Sequence, residues 1–238
     1  MIVVIPMAGR GSRFSNVGYE TPKPLIEIDG KPMIYHAFQS IKNVQFRKLI
    51  FVALKEHEKN YQVSQILKKY IPHEFELILL DDVTEGQLCT VLKAAHFFEN
   101  EEGLLIAASD SFIESNIAEE VRQNSFDGII SVFDMPGEQW SFAKIDQDNK
   151  VIEVSEKKRI SDYASTGIYY FKDAKKFQFE AEKVIENRET TKNEYYVMPL
   201  YSKFIHQGAI IKLSHATSMW DMGTPESKLK FENYLNGK

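Results

Sequence analysis

Apolar residues along this chain fall into blocks whose spacing separates strands from helices. Residues 2–6, Ile-Val-Val-Ile-Pro, form a β-branched run too short for a helix and read as a buried strand. Residues 8–13 break all periodicity and must be a loop. A helix follows at 32–41, with Pro32 in its first turn, and then a second strand at 48–54. Within 59–71, Val63, Ile66, Leu67, Tyr70 and Ile71 recur at helical spacing and predict the clearest helix of the chain. A third strand at 75–80, a helix at 88–98, a fourth strand at 104–108 and a helix at 114–123 complete the first half.

Strands alternating with helices predict a parallel α/β sheet with right-handed crossovers. The second half reads differently, with strands at 128–133, 141–146, 151–155 and 164–171 separated by hairpin-sized gaps, one of them turned by Asp148-Asn149. Helices at 173–187 and 195–206, a strand at 210–214 and a closing helix from Pro225 follow. The sheet is therefore expected to be mixed, within one domain (1–238) of two lobes, 1–125 and 126–238. The site is expected between the lobes, at the carboxyl ends of the parallel strands.

Composition narrows the function. With 43% hydrophobic and 26% charged residues in 238, the chain is neither disordered nor fibrous. No apolar run reaches membrane-spanning length, so no membrane partner is expected. Met1 leads into Ile2 with no basic stretch or cleavage site, which argues against a signal peptide. Cys89 is the only cysteine, so no intrachain disulfide forms and a cytoplasmic setting is expected. A net charge of -5 disfavours non-specific nucleic-acid binding. The six histidines show no metal-ligand spacing, and Tyr195-Tyr196 reads as core at a helix start.

The most specific stretch follows the first strand: Met7-Ala8-Gly9-Arg10-Gly11-Ser12-Arg13-Phe14. Small residues let the backbone approach a ligand, successive amides can cradle an anion, and Arg13 adds a fork suited to phosphate oxygens. Phe14 stands where a dinucleotide fingerprint needs its third glycine, and no Gly-Lys-Ser/Thr follows, so neither common phosphate-loop motif applies. A flexible glycine turn is the bland alternative. Thr21-Pro22-Lys23-Pro24-Leu25 weighs against it, because two prolines fix the backbone around one lysine in a way a solvated lysine does not need.

These stretches, with Gly30-Lys31-Pro32-Met33-Ile34, Ala107-Ala108-Ser109-Asp110, Glu156-Lys157, Ser165-Thr166-Gly167 and Trp220-Asp221-Met222-Gly223-Thr224-Pro225, resemble the nucleotidyltransferase family of sugar-1-phosphate nucleotide pyrophosphorylases. The resemblance spans most of the chain. It implies a Rossmann-like three-layer α/β fold with a mixed sheet, of the GT-A-like nucleotidyltransferase kind. It also implies transfer of a nucleoside monophosphate from a nucleoside triphosphate to a phosphorylated acceptor, with release of pyrophosphate, in the making of surface polysaccharide precursors. An acceptor phosphate is mostly dianionic at neutral pH, because its second pKa is about 6, so the reaction needs no general base. It needs alignment and charge neutralisation.

The roles implied by the resemblance are as follows. Arg13, Lys23 and Asp110 carry catalysis. Asp110 and Asp221 hold Mg²⁺, whose preference for hard oxygen ligands they match. Ala8, Gly9, Gly11, Ser12, Glu85, Gly86 and Gln87 bind the nucleotide, the last three forming the nucleobase rim with Thr84. Ala143, Glu156, Lys157, Thr166, Gly167 and Glu194 (with Asn193) contact the acceptor. Each has a plainer reading: Asp110 as a helix cap, Asp221 as turn chemistry, and Glu156-Lys157-Lys158-Arg159 as a solvated charge run.

Two departures bear on the acceptor. Lys158 stands where the family usually has proline, and Trp140-Ser141-Phe142-Ala143 replaces a common Tyr-Gly, which leaves room for an acceptor other than a hexose 1-phosphate. A CTP-dependent cytidylyltransferase acting on a non-sugar phosphate is thus the nearest alternative. A nucleotide-sugar-dependent glycosyltransferase is a second; it would carry Asp-x-Asp, where this chain has Asp110-Ser111-Phe112. A non-catalytic nucleotide sensor is a third, although it should have lost a cation or carboxylate. The chain ends soon after the closing helix, so no appended acyltransferase repeat is expected. Homo-oligomer formation stays open.

Overall fold

Ile2, Val3 and Val4 in the first strand are completely buried, which requires helices over both faces of the sheet they join. A computed structural model, which describes residues 1–123 and 125–237, shows how this is met. In chain order the elements are β1 (Ile2–Pro6), α1 (Ser12–Ser15), a 3-10 turn at Lys23–Leu25, β2 (Glu27–Ile28), β3 (Lys31–Pro32) and α2 (Met33–Gln39). Next come β4 (Lys48–Leu54), α3 (Lys55–Tyr61), α4 (Val63–Tyr70), β5 (Glu76–Leu80), α5 (Gln87–Leu92), β6 (Leu104–Ala107), β7 (Ser111–Glu114) and α6 (Ile117–Gln123). The second half adds β8 (Gly128–Phe133), β9 (Ser141–Ile145), β10 (Val151–Glu156), β11 (Tyr163–Phe171), α7 (Ala174–Glu186), α8 (Leu200–His206), β12 (Ile211–His215), β13 (Ser218–Asp221) and α9 (Pro225–Asn236).

The four strands expected of the first half run parallel in the order β6-β1-β4-β5, with Ile2 opposite both Lys48 and Leu104. The second half extends this sheet in the antiparallel sense, as expected. β11 pairs with β6, β8 with β11, and the β9–β10 hairpin continues beyond, while β12 lies parallel to β8. Val3 and Ile5 face a core shared with Phe38 of α2, Leu67 of α4 and Phe231 of α9. Ile2 and Val4 face the other, built with Val91 of α5, Phe177 of α7 and Phe204 of α8. Among the described residues no helix is long and apolar enough to cross a membrane.

Several elements differ from the reading of the sequence. The 59–71 helix is broken, because Gln62 takes a left-handed conformation (φ 52°) and the helical segment begins earlier, at Lys55. Glu58 makes the break tolerable, since its carboxylate accepts the backbone N–H and hydroxyl of Ser64 at 2.8 and 2.6 Å and so caps α4. The 195–206 helix shrinks to α8. Pro199 disfavours a helical Met198 before it, and Tyr195 is held extended against residue 85. The 88–98 helix ends at Leu92, with a separate 3-10 turn at Ala95–Phe97. Residues 114–116 do not join α6.

β7 and β13, which sequence periodicity does not reveal, form a separate two-stranded antiparallel sheet with Asp221 opposite Ser111. An aromatic stack fastens it to α9, with Phe112 on Phe231 at 5.4 Å and Trp220 on Tyr234 at 4.3 Å. α9 itself starts at a capping box in which Thr224 and Ser227 exchange side-chain-to-backbone bonds at 3.0 and 3.1 Å.

At the opposite end of the sheet, Glu102 ties the beginnings of β1, β4 and β6 together. Its carboxylate accepts two hydrogen bonds from Arg47, at 2.9 and 2.8 Å, and lies 3.2 Å from the Met1 ammonium. The Arg47 hydrogen bonds, outweighing partial burial and aided by the ammonium, hold the Glu102 carboxyl below its usual range. A carboxylate whose folded pKa is depressed stabilises fully above its unfolded value of about 4.3, and that contribution is lost as pH falls through the folded value. Glu102→Gln should therefore cost about 1–2 kcal/mol at pH 7, because Arg47 remains partly solvated. The expected drop in Tm is roughly 2–8 °C. Thermal melts from pH 7 to pH 3 should show the difference shrinking with acid; a constant difference would refute the linkage.

Candidate active site

The carboxyl ends of β1, β5 and β6 open into a cleft of about 560 Å³. Its walls comprise Ala8 to Arg10 after β1, Lys23 and Pro24, Val83 to Gln87 after β5, Ala108 to Asp110 after β6, and Glu194 with Tyr196 from the second lobe. This is the crevice position expected of an α/β sheet.

Lys23 is aimed by its setting. Pro22 and Pro24 are buried on either side of it, and Leu25 N–H closes the turn on Pro22 at 2.8 Å. Gly11, at φ 64°, lies so close that a Cβ there would sit 2.9 Å from the Cβ of Lys23, so the glycine loop and the lysine turn need each other's shape. Lys23 Nζ thereby reaches Asp110 Oδ2 at 2.6 Å. The amides of Gly9, Arg10 and Gly11 have no partner among the described residues and are available to a ligand.

Asp110 and Asp221, 111 positions apart, meet through the β7–β13 pairing, reinforced by Met222 N–H on Asp110 O at 2.8 Å. A methyl placed on Gly223 would sit 3.0 Å from Asp221 Oδ1, 3.2 Å from Asp110 Oδ2 and 3.8 Å from Arg13 Nη1. Two carboxylates and a guanidinium thus converge on one small space. Burial pushes the Asp110 carboxyl up, but the bonded Lys23 ammonium and the Arg13 guanidinium outweigh it and hold the group below its usual range. Asp221 goes the other way, raised by burial and, against a hydrogen bond from Ser227, by the Asp110 charge. Two neighbouring carboxylates, one of them, Asp221, short of positive charge, fit Mg²⁺, which takes one or two protein carboxylates and completes its shell with phosphate and water. Among the described residues no cluster of three or more His, Cys, Asp or Glu offers a protein-only cage. The plainer readings sort out differently. Asp110 precedes a strand and caps no helix. Asp221 does make the turn bond expected of it, accepting Gly223 N–H at 3.0 Å.

The rim is held by a backbone seam. Tyr195 N–H donates to Glu85 O at 2.9 Å and Leu88 N–H to Tyr195 O at 3.0 Å. At Gly86, φ 138°, a Cβ would lie 2.4 Å from Tyr195 O. Thr84 and Thr90 hydroxyls both bond Gly86 O. Tyr195 is core, as read, but Tyr196 is not: it lines the cleft and carries the Lys157 ammonium over its ring at 4.2 Å. Alternation along an extended segment, hidden by the expected helix, separates the two.

Of the remaining expected residues, Ala8, Gly9, Glu85, Gly86, Gln87 and Glu194 line the cleft, while Ser12 begins α1 beside it. Gly167 packs on Ala108, its carbonyl accepting the Ala108 N–H at 3.0 Å. Glu156 accepts the Ser141 hydroxyl, and burial, more than the Glu194 charge, raises its carboxyl. Lys157 has a positive φ of 55° and bonds Tyr196, so the charge run is solvated only at Lys158. Ala143 is fully buried in core, and Thr166 is 1% exposed with its hydroxyl unpartnered. Sequence reasoning passed over Tyr196 and Arg10.

A glycine loop, two cations and two carboxylates meet around one crevice. The family model Nucleotidyl transferase matches residues 2–236, and the chain belongs to that family. It is 27% identical to the bifunctional protein GlmU of Methanococcus vannielii over 99% of this chain and 55% of that one. It thus spans about half the length of the first such relatives. It is 23% identical to the UTP–glucose-1-phosphate uridylyltransferase AglF of Haloferax volcanii, covering 99% and 96% of the two chains. Among solved structures, the nucleoside-diphosphate-sugar pyrophosphorylase from Vibrio cholerae superposes with a TM-score of 0.83 at 27% identity, over 97% and 99% of the chains. A putative glucose-1-phosphate thymidylyltransferase from Bacillus anthracis, 24% identical, shares the fold at 0.82 over 99% and 95%.

The seam at Gly86 makes a sharp prediction. Gly86→Ala should destabilise the protein by about 2–4 kcal/mol, from backbone strain and overpacking together. Gly9→Ala, where no atom lies within 4 Å of the added Cβ, should stay within about 0.5 kcal/mol of wild type. Denaturant unfolding of both variants checks this, and equal costs would contradict the seam.

Proposed function

We propose that the protein transfers a nucleoside monophosphate from a nucleoside triphosphate to a phosphorylated small molecule, a sugar 1-phosphate or a similar acceptor, and releases pyrophosphate. The observation that carries this reading is the meeting of Lys23, Arg13, Asp110 and Asp221 beside a glycine loop at the carboxyl ends of β1 and β6. An acceptor phosphate already carries its nucleophilic charge. The work left to the protein is to hold two anions in line and to neutralise charge as the α-phosphorus is attacked.

In this reading the Gly9, Arg10 and Gly11 amides cradle the triphosphate. Arg13 and Lys23 stabilise the charge that builds on the α-phosphoryl oxygens, and Glu85 to Gln87 border the base. Asp110 and Asp221 would hold Mg²⁺, which when bound supplies further charge neutralisation of the phosphates. Glu194, Glu156 and Lys157 border the acceptor beside Tyr196, with Gly167 backing the floor at Ala108. Ala143 and Thr166 act from the buried layer behind. The product would serve as an activated precursor for surface polysaccharide, made in the cytoplasm.

The test is magnesium-dependent pyrophosphate release with CTP, UTP, dTTP, GTP and ATP, each against phosphorylated sugars, polyols and amides. One pair should turn over, and chelation should silence it. Lys23→Ala and Asp110→Asn should each lower turnover by about 10³-fold, the loss of a preorganised charge at the reacting phosphate, with melting temperatures that show a folded protein. Turnover like wild type in either variant refutes the assigned roles.

A further inference from the structure

The glycine loop carries a cation, Arg10, that the transfer reaction leaves unused. Arg10 Nη2 lies 2.6 Å from Oδ1 of Asp82, 72 positions further along, in the loop after β5. Arg10 lines the cleft on one side, and Val83 and Thr84, next to Asp82, line it on the other. The ion pair therefore joins the phosphate loop to the base rim. Its side chains are 62% and 69% exposed, and a pair so exposed adds little to stability, so the fold does not need it. Asp82 is nonetheless fixed in place, because the same oxygen accepts the Val83 N–H at 2.7 Å. On the same loop, Asp81 pairs with Lys55 at 2.7 Å; of these two ion pairs only Arg10 lines the cleft, so Asp82 alone of the two carboxylates is paired to a cleft residue.

We propose that Arg10 is a triphosphate-binding residue held in reserve by Asp82, whose carboxylate stands in for a phosphate until the nucleotide arrives. The proposal rests on reading the cleft as a triphosphate site. A terminal phosphate carries nearly two charges and three acceptor oxygens against the single charge of a carboxylate, so the guanidinium gains by the exchange. Breaking the Asp82 pair subtracts from triphosphate affinity. Its re-formation favours departure of pyrophosphate.

Isothermal titration of the full chain with inorganic tripolyphosphate tests the exchange without knowledge of the base. Arg10→Ala should weaken binding about 10-fold or more, the loss of a charge-assisted contact. Asp82→Asn should tighten it, by about 3-fold or more, the loss of an exposed competing ion pair. Asp81→Asn, which removes the same charge one residue away, should change it less than about 2-fold, since solvent and salt screen that carboxylate. The double variant Arg10→Ala/Asp82→Asn should match Arg10→Ala. All three positions are exposed, and thermal melts confirm that the variants fold. Equal tightening by Asp81→Asn would reduce the effect to general charge and overturn the exchange. So would weaker binding by Asp82→Asn, or a wild-type response of Arg10→Ala. Absence of binding in both wild type and Asp82→Asn would overturn the triphosphate reading along with it.

Discussion

The contact between Lys23 and Asp110 joins two segments 87 positions apart in the chain. One is a proline-braced turn after the first strand; the other is the end of β6. Their 2.6 Å approach places an ammonium inside the crevice where two parallel strands end. It depends on β1 lying directly beside β6, on Gly11 having no side chain, and on buried prolines that keep the lysine from swinging into solvent. A partly buried ion pair of this kind is weak support for stability, because desolvation offsets much of the attraction. Its meaning is positional: it leaves a cation and a carboxylate preorganised where a polyphosphate and a metal ion would need them.

Electrostatic asymmetry follows from that placement. Lys23 and Arg13 draw the Asp110 carboxyl down, whereas the neighbouring Asp221 is raised by burial and by the Asp110 charge. Two acids, one satisfied and one not, share the space beside Gly223. Across the cleft the pattern repeats in weaker form, with Glu156 raised by burial and Lys157 drawn onto Tyr196. The charges in this crevice are thus balanced locally but incompletely, which agrees with the proposed binding of a triphosphate and Mg²⁺.

The second half of the chain contributes to the cleft through its backbone as well as its side chains. The Tyr195 seam clips the loop after β5 to the segment before α8 through two hydrogen bonds and a close approach at Gly86. The same residues that hold the rim therefore bring Glu194 and Tyr196 to the cleft. Position 196 faces the cleft because 195 faces the core.

By itself the sequence determined the parallel half of the sheet, the mixed second half and the two loops that carry Gly11 and Lys23. Strand burial, proline placement and glycine spacing are local properties, written in runs such as 2–6 and 21–25. The pairing of Asp110 with Asp221 was decided only by tertiary structure, because β7 and β13 are four-residue strands with no periodicity of their own until they meet over Phe231. The break at Gln62 rests on the Glu58 cap, and the unwinding of 195–199 on the seam with residue 85; each is a contact that outweighs helical spacing. Arg10 was legible as a charge but not as half of a pair, since its partner lies 72 residues away. Short-range patterns set which elements form. Where their ends meet, and hence which charges face one another, is set by long-range packing that no local spacing encodes.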